Sequence, residues 1–159
     1  YEAARNEGFI TVAHAGEEGP AAYVTDALDI LKVSRVDHGN HALDDPALVA
    51  RLVREKTPLT MCPLSNLRLK VIASMEANPV KTALDAGLLV TVNSDDPSYF
   101  GGYINANYEA VTDALDLSIT DIVTLAKNSF AASFLPDEEK QTHIDAVERH
   151  AGKFMRSAD

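Results

Sequence analysis

Four short runs pace this chain: apolar stretches at 9–13, 59–62 and 88–92, and a very short one at 35–37 centred on Val36. Each is too short for a helix and long enough for a buried strand. Between them lie segments with helical spacing. The segment 20–33 carries Ala22, Val24, Ala27, Leu28 and Leu31, and 46–56 carries Leu48, Val49, Leu52 and Val53 behind Pro46. The segment 78–86 opens on Asn78 and Pro79 and stops before Gly87, a cap, first-turn and end signal in the right order. Strands alternating with helices at intervals of roughly 25–30 residues predict parallel βα units with right-handed crossovers. Three helical patterns follow, at 105–115, 118–134 and 136–150. The last is dense in charge and reads as a solvated helix, with His143 and His150 upon it. No composition break divides the chain, so 1–159 reads as one segment. The architecture is α/β: either a doubly wound open sheet or half of a (β/α)8 barrel, which typically needs about 250 residues.

The polar residues gather where the strands end. The first run is followed by "HAGEEG" with His14 and Glu17, and the second by "DHGNH" with Asp37, His38 and His41. The third is followed by "CPLSN" with Cys62, Ser65 and Asn66, and the fourth by "NSDDP" with Asp95 and Asp96. In a parallel βα fold these positions all lie at the C-terminal face of the sheet, where barrel active sites are built. Taken singly, each has a plain structural reading. His14 suits a hydrogen-bonded strand end, Glu17 a first helical turn, His38 a core histidine, and Asp-Pro a turn. His41 reads as structural beside the helix start at Asp44 and Asp45, and Cys62 as a small buried residue. Together the clusters point to a site.

Neutral imidazole and carboxylate are ligands for a divalent transition metal such as Zn²⁺. Such an ion lowers the pKa of a water from about 15.7 to roughly 7 and makes it a nucleophile. A nearby glutamic acid can deliver a proton to a ring nitrogen or leaving group. A metal also explains why Asp95 and Asp96 stand side by side, because two adjacent carboxylates otherwise raise each other's pKa.

"HAGE", "DHG", "CPLSN" and "NSDDP", in this order, resemble the adenosine/adenine deaminase family. The resemblance covers 14–134. It implies the C-terminal half of an amidohydrolase-type (β/α)8 barrel, about four βα units plus terminal helices, that replaces the purine 6-amino group with oxygen and releases ammonia. By position, His14 resembles a metal-binding histidine and Asp95 the metal-ligating aspartate. Glu17 resembles the acid that protonates the purine N1, and His38 the histidine beside the attacking water. Asp96 resembles the aspartate that hydrogen-bonds the purine N7, with Ser65 and Asn66 bracing the loop. "SYFGGY" after the aspartates is similar to the adenine deaminases, where an aromatic segment beside the site takes space a ribose would need. Adenosine and N6-substituted adenines are the alternative substrates.

The family's first strand carries a His-x-His pair, and none occurs in these 159 residues. Two further histidine ligands to one Zn²⁺ are therefore expected outside this chain. Residues 1–7 read as the end of a helix capped by Gly8, which adds the expectation of upstream sequence. A half barrel exposes two sheet edges and needs its missing N-terminal half or a second copy. The reading from another class is a non-catalytic fragment or pseudoenzyme that binds purine or a complementing half. A third is a related amidohydrolase that cleaves an amide or ester.

Charge narrows the partners. Lys plus Arg number 14 against 24 Asp plus Glu, a net charge of −10, with no basic stretch. That excludes phosphate-driven nucleic-acid binding and adhesion to an anionic membrane. No apolar run approaches a membrane span. A single cysteine excludes an internal disulfide and fits a reducing compartment. A small-molecule purine substrate and a cytoplasmic location are the expectations.

Overall fold

The computed structural model describes residues 1–157. Four strands form one parallel sheet: β1 (Val12–Ala15), β2 (Arg35–His38), β3 (Leu59–Met61) and β4 (Val90–Val92), in the order β1-β2-β3-β4. Val36 sits beside Ala13 on one side and Leu59 on the other, and Leu59 beside Val90. Chain order and spatial order are the same, so each crossover moves one strand along, as in a barrel wall.

Helices pack between and behind the strands. They are α1 (Glu2–Asn6), α2 (Ala21–Asp29), α3 (Pro46–Glu55), α4 (Pro63–Arg68), α5 (Val80–Asp85), α6 (Pro97–Phe100), α7 (Ile104–Leu115), α8 (Ile119–Ala131) and α9 (Asp137–Ser157). Val24 and Ala27 of α2, Leu48 and Leu52 of α3, Val80 and Ala83 of α5, Val111 of α7 and Leu125 of α8 form one core with the strand residues Val36, Leu59 and Val90. Helix α3 shows why such segments fold locally. The Asp45 side chain accepts from the amides of Ala47 and Leu48, Pro46 opens the first turn, and Lys56 ends the helix in a left-handed conformation.

Two expectations need correction. The first strand begins at Val12, not at 9, and Phe9 and Ile10 are 68% and 56% exposed. Pairing with β2 starts at Val12↔Arg35, so the apolar residues before it lie off the sheet. The last helix runs through Ser157 and is not a wholly solvated face. It lies along α8, with an apolar groove between the two lined by Ile122, Val123, Phe130, His143 and His150. His143 stacks on Phe130 with ring centroids 4.7 Å apart and planes 13° from parallel. Helices α4 and α6 were also not expected as helices; each is short and opens on a proline.

Strands β1 and β4 are the edges of the sheet, each paired on one side alone among the described residues. No described helix is long and apolar enough to cross a membrane.

Candidate active site at the strand ends

The loops after β1 and β2 are tied together before any side chain is considered. The Gly39 amide donates to the Ala15 carbonyl and the His41 amide to the Gly16 carbonyl. Gly39 has φ +75°, and a Cβ there would meet Leu59 Cδ2 at 2.8 Å, so only glycine turns the chain this tightly. His38, just before it, holds φ 66° without being glycine, and Asp95 after β4 holds φ 54°. Non-glycine residues in this region cost of order 1–3 kcal/mol each and concentrate at functional sites.

These turns bring side chains together. His38 is buried, its side chain 3% exposed. Its Nδ1 lies 3.3 Å from Glu17 Oε1, and its Nε2 lies 4.0 Å from Asp95 Oδ2. The Nδ1 pair is within ion-pair distance but not aligned as a hydrogen bond, so Nδ1 is a buried polar atom without a hydrogen-bond partner. The His14 and His38 rings lie 4.9 Å apart. His14 is open to solvent, with its Nδ1 3.7 Å from Asp37 Oδ2. A cleft of about 400 Å³ runs between these groups, lined by His14, Asp37, His38, Cys62, Asn93 and Asp95. The apolar groove between α8 and α9 holds none of them.

Four of the five site residues named from sequence, His14, Glu17, His38 and Asp95, therefore meet at one place. Asp96 does not line the cleft. It is exposed, and its Oδ1 accepts from the Tyr99 amide at the start of α6. The aromatic segment that follows is also displaced from the cleft. Tyr99 and Phe100 pack edge to face and line a neighbouring hollow with Arg68 and Leu69. Ser65 and Asn66 are fully buried, but their side chains make no hydrogen bond among the described residues. The bracing runs instead through the Asn66 carbonyl, which accepts from Val71 and Ile72.

Two residues of the strand-end clusters given no role from sequence, Asp37 and Asn93, and one outside them, Asn107, hold the surroundings of the cleft in place. Asp37 accepts hydrogen bonds from Arg35 Nε at 3.1 Å and Thr60 Oγ1 at 2.8 Å. Asn93 Nδ2 donates to Thr91 Oγ1 at 2.7 Å and fixes the turn after β4. Asn107, wholly buried in α7, accepts from the Leu64 amide and donates to the carbonyls of Gly102 and Tyr103. A period-two reading would place Arg35 and Asp37 on one face of β2. That Thr60 and His14 flank Asp37 follows from the strand register alone.

The donor chemistry suits a divalent metal. His38, Cys62 and Asp95 each offer a ligand atom, all within 4.8 Å of one another, and His14 stands outside that trio. Burial, and then the charges of Asp95, Glu17 and Asp37, push the Cys62 thiol up to about 12. It is thus a neutral thiol, donating to the Thr60 carbonyl. Imidazole beside carboxylates in a half-enclosed, net negative cleft is a setting that a cation stabilises.

The adenosine deaminase family model matches residues 1–150. Adenine deaminases of Sphingopyxis alaskensis and Caulobacter vibrioides are 63% and 59% identical to this chain, over 93% and 94% of it. The match covers 43% and 44% of their own lengths. A crystal structure of adenine deaminase from Arthrobacter aurescens superposes with a TM-score of 0.93 at 46% identity, over 96% of this chain and 46% of that one. An amidohydrolase from Burkholderia ambifaria, solved with bound Zn, superposes with a TM-score of 0.88 at 28% identity, over 98% of this chain and 44% of that one. The chain thus spans less than half the length of the relatives it matches, and its sheet corresponds to half of their barrel.

Proposed function

Because this chain belongs to the adenosine deaminase family, we propose that it supplies the C-terminal half of the active site of a deaminase. The reaction is hydrolysis of adenine to hypoxanthine and ammonia. The observation that carries this reading is the meeting of Glu17, His38 and Asp95 at the strand ends, with His14 alongside.

Each residue then has a role. His14 and Asp95 would hold a divalent metal, Zn²⁺ in this reading, together with two histidines outside the chain. When bound, the metal supplies an acidified water as nucleophile. His38 takes or holds the proton of that water at Nε2, the nitrogen that faces Asp95. Glu17 delivers a proton to the purine N1, so that the ring accepts electrons as the carbon bearing the amine is attacked. His38 passes the proton it took to the leaving amine, ammonia departs as the carbon–nitrogen bond breaks, and the remaining hydroxyl proton returns to Glu17 as the C6 carbonyl forms. Asp96 orients the purine through N7 with its second carboxylate oxygen, the first being engaged as the cap of α6.

The relatives named above support adenine as the substrate rather than adenosine or an N6-substituted adenine. The experiment is a substrate panel of adenine, adenosine, N6-alkyl adenines and cyclic amides with the full-length protein, reading ammonia release. Preferential turnover of adenine is expected. Faster turnover of adenosine or an N6-alkyl adenine would reassign the substrate. No ammonia from any of them, with metal bound, would leave the purine-binding, non-catalytic reading.

A further inference from the structure

Asp37 is the most elaborately held carboxylate in the cleft, and no role in the reaction above uses it. Its side chain is 15% exposed. Arg35 Nε and Thr60 Oγ1 both donate to Oδ1, at 3.1 and 2.8 Å. Two donors on one oxygen fix the plane of the carboxylate and leave Oδ2 turned toward His14 Nδ1, 3.7 Å away. The strand register enforces this arrangement. Asp37 pairs with His14 on β1 and with Thr60 on β3, so the three residues form one row across the sheet. Arg35, two residues earlier on the same face, lies with its guanidinium over the Phe134 ring, 5.0 Å from its centre.

A salt bridge between Arg35 and Asp37 would satisfy both charges without involving His14 or Thr60. The geometry does more than that. It spends the arginine and the threonine on a single oxygen and aims the other at a histidine ring. We propose that Asp37 is a positioning residue for His14: it accepts from Nδ1–H and so fixes the ring's orientation and tautomer, presenting the Nε2 lone pair to the metal. Ligating histidines characteristically give their second ring nitrogen to a carboxylate, and loss of that partner typically costs 10–100-fold in metal affinity. The 3.7 Å separation is longer than a hydrogen bond and needs a small rotation of the exposed His14 ring to close.

This inference rests on the reading of His14 as a ligand, and the two are separated by experiment. In the full-length protein, zinc affinity is measured by competition with a chromophoric chelator for wild type, His14→Ala, Asp37→Asn and Thr60→Val. The tautomer of His14 is read from imidazole ¹⁵N shifts in the metal-free protein. His14→Ala losing zinc establishes the ligand. Asp37→Asn is then expected to weaken zinc roughly 10–100-fold and to move His14 away from the Nδ1–H form. Thr60→Val, a near-isosteric change that removes one donor to Asp37, is expected to give a smaller loss in the same direction. If His14→Ala loses zinc while Asp37→Asn and Thr60→Val keep both the affinity and the His14 shifts of wild type, Asp37 merely balances Arg35 and the inference is overturned. If His14→Ala retains full zinc affinity, the ligand reading fails first. Should Asp37→Asn not fold, Thr60→Val decides alone. None of these readouts depends on which substrate the enzyme turns over.

Discussion

His38 Nε2 faces Asp95 Oδ2 at 4.0 Å across the intervening strand β3, and both residues sit in the left-handed backbone region, at φ 66° and 54°. A histidine and an aspartate at the ends of non-adjacent strands meet because each strand exit is bent in this costly way. The strain and the site are therefore one feature.

That relationship predicts a trade-off. Asp95→Gly removes the strained residue but also a proposed metal ligand. In the metal-free full-length protein it should be no less stable than wild type, and more stable by up to about 1 kcal/mol, since relief of strain is offset by the entropy of a new glycine. Its turnover should be lost. Urea denaturation of the stripped proteins checks this, and a destabilisation beyond 1 kcal/mol would mean that the backbone there is not strained.

Glu17→Gln should reduce kcat by roughly 10²–10⁴ while zinc stays bound, because the amide occupies the same space 3.3 Å from His38 Nδ1 but has no acidic proton to give. Metal analysis and steady-state kinetics on the same sample test it. Retention of normal turnover removes Glu17 from the mechanism.

The buried Asn107 side chain holds α4 to the segment before α7 through three hydrogen bonds. Asn107→Leu should destabilise the protein by about 1–3 kcal/mol, the cost of leaving the Leu64 amide without its partner, while the Tyr103 carbonyl keeps the Asn107 amide. Hydrogen exchange at the Leu64 amide should rise in parallel. A variant as stable as wild type would mean that this segment is held by packing.

The cap of α8 gives a pH signature. Ser118 Oγ accepts from the Asp121 amide, and the Ser118 hydroxyl and amide both donate to Asp121 Oδ2. Those bonds hold the Asp121 carboxyl below its ordinary value. A carboxyl depressed on folding stabilises fully above its unfolded value, near 4, and loses that contribution as pH falls through the lower folded value. Ser118→Ala should cost about 1 kcal/mol at neutral pH. The stability difference between wild type and Asp121→Asn should be largest at neutral pH and shrink below about pH 4. A difference that grows on acidification contradicts the cap as described.

Apolar periodicity determined much of this molecule. Short runs with buried Val36, Leu59 and Val90 make strands, Leu48 and Leu52 make the inner face of a helix, and their alternation makes a parallel sheet. These are local properties of a chain that must bury apolar area at period two or near four. The clusters after each run marked which face carries chemistry, since in parallel units every strand exit points the same way. Phe9 and Ile10 have the composition of a strand but lie outside β1, because pairing, which defines a strand, begins at Val12. The charge of α9 masks an amphipathic side that only the packing of α8 against it defines. Tertiary structure alone decided which polar residues meet. Asp95 turns toward His38 and Asp96 toward the amide of Tyr99, although the two are neighbours in sequence, because Asp95 adopts a left-handed backbone and Asp96 an extended one. Asp37 gained its place between His14 and Thr60 from strand register, which depends on contacts 23 residues apart on either side and leaves no mark in local sequence.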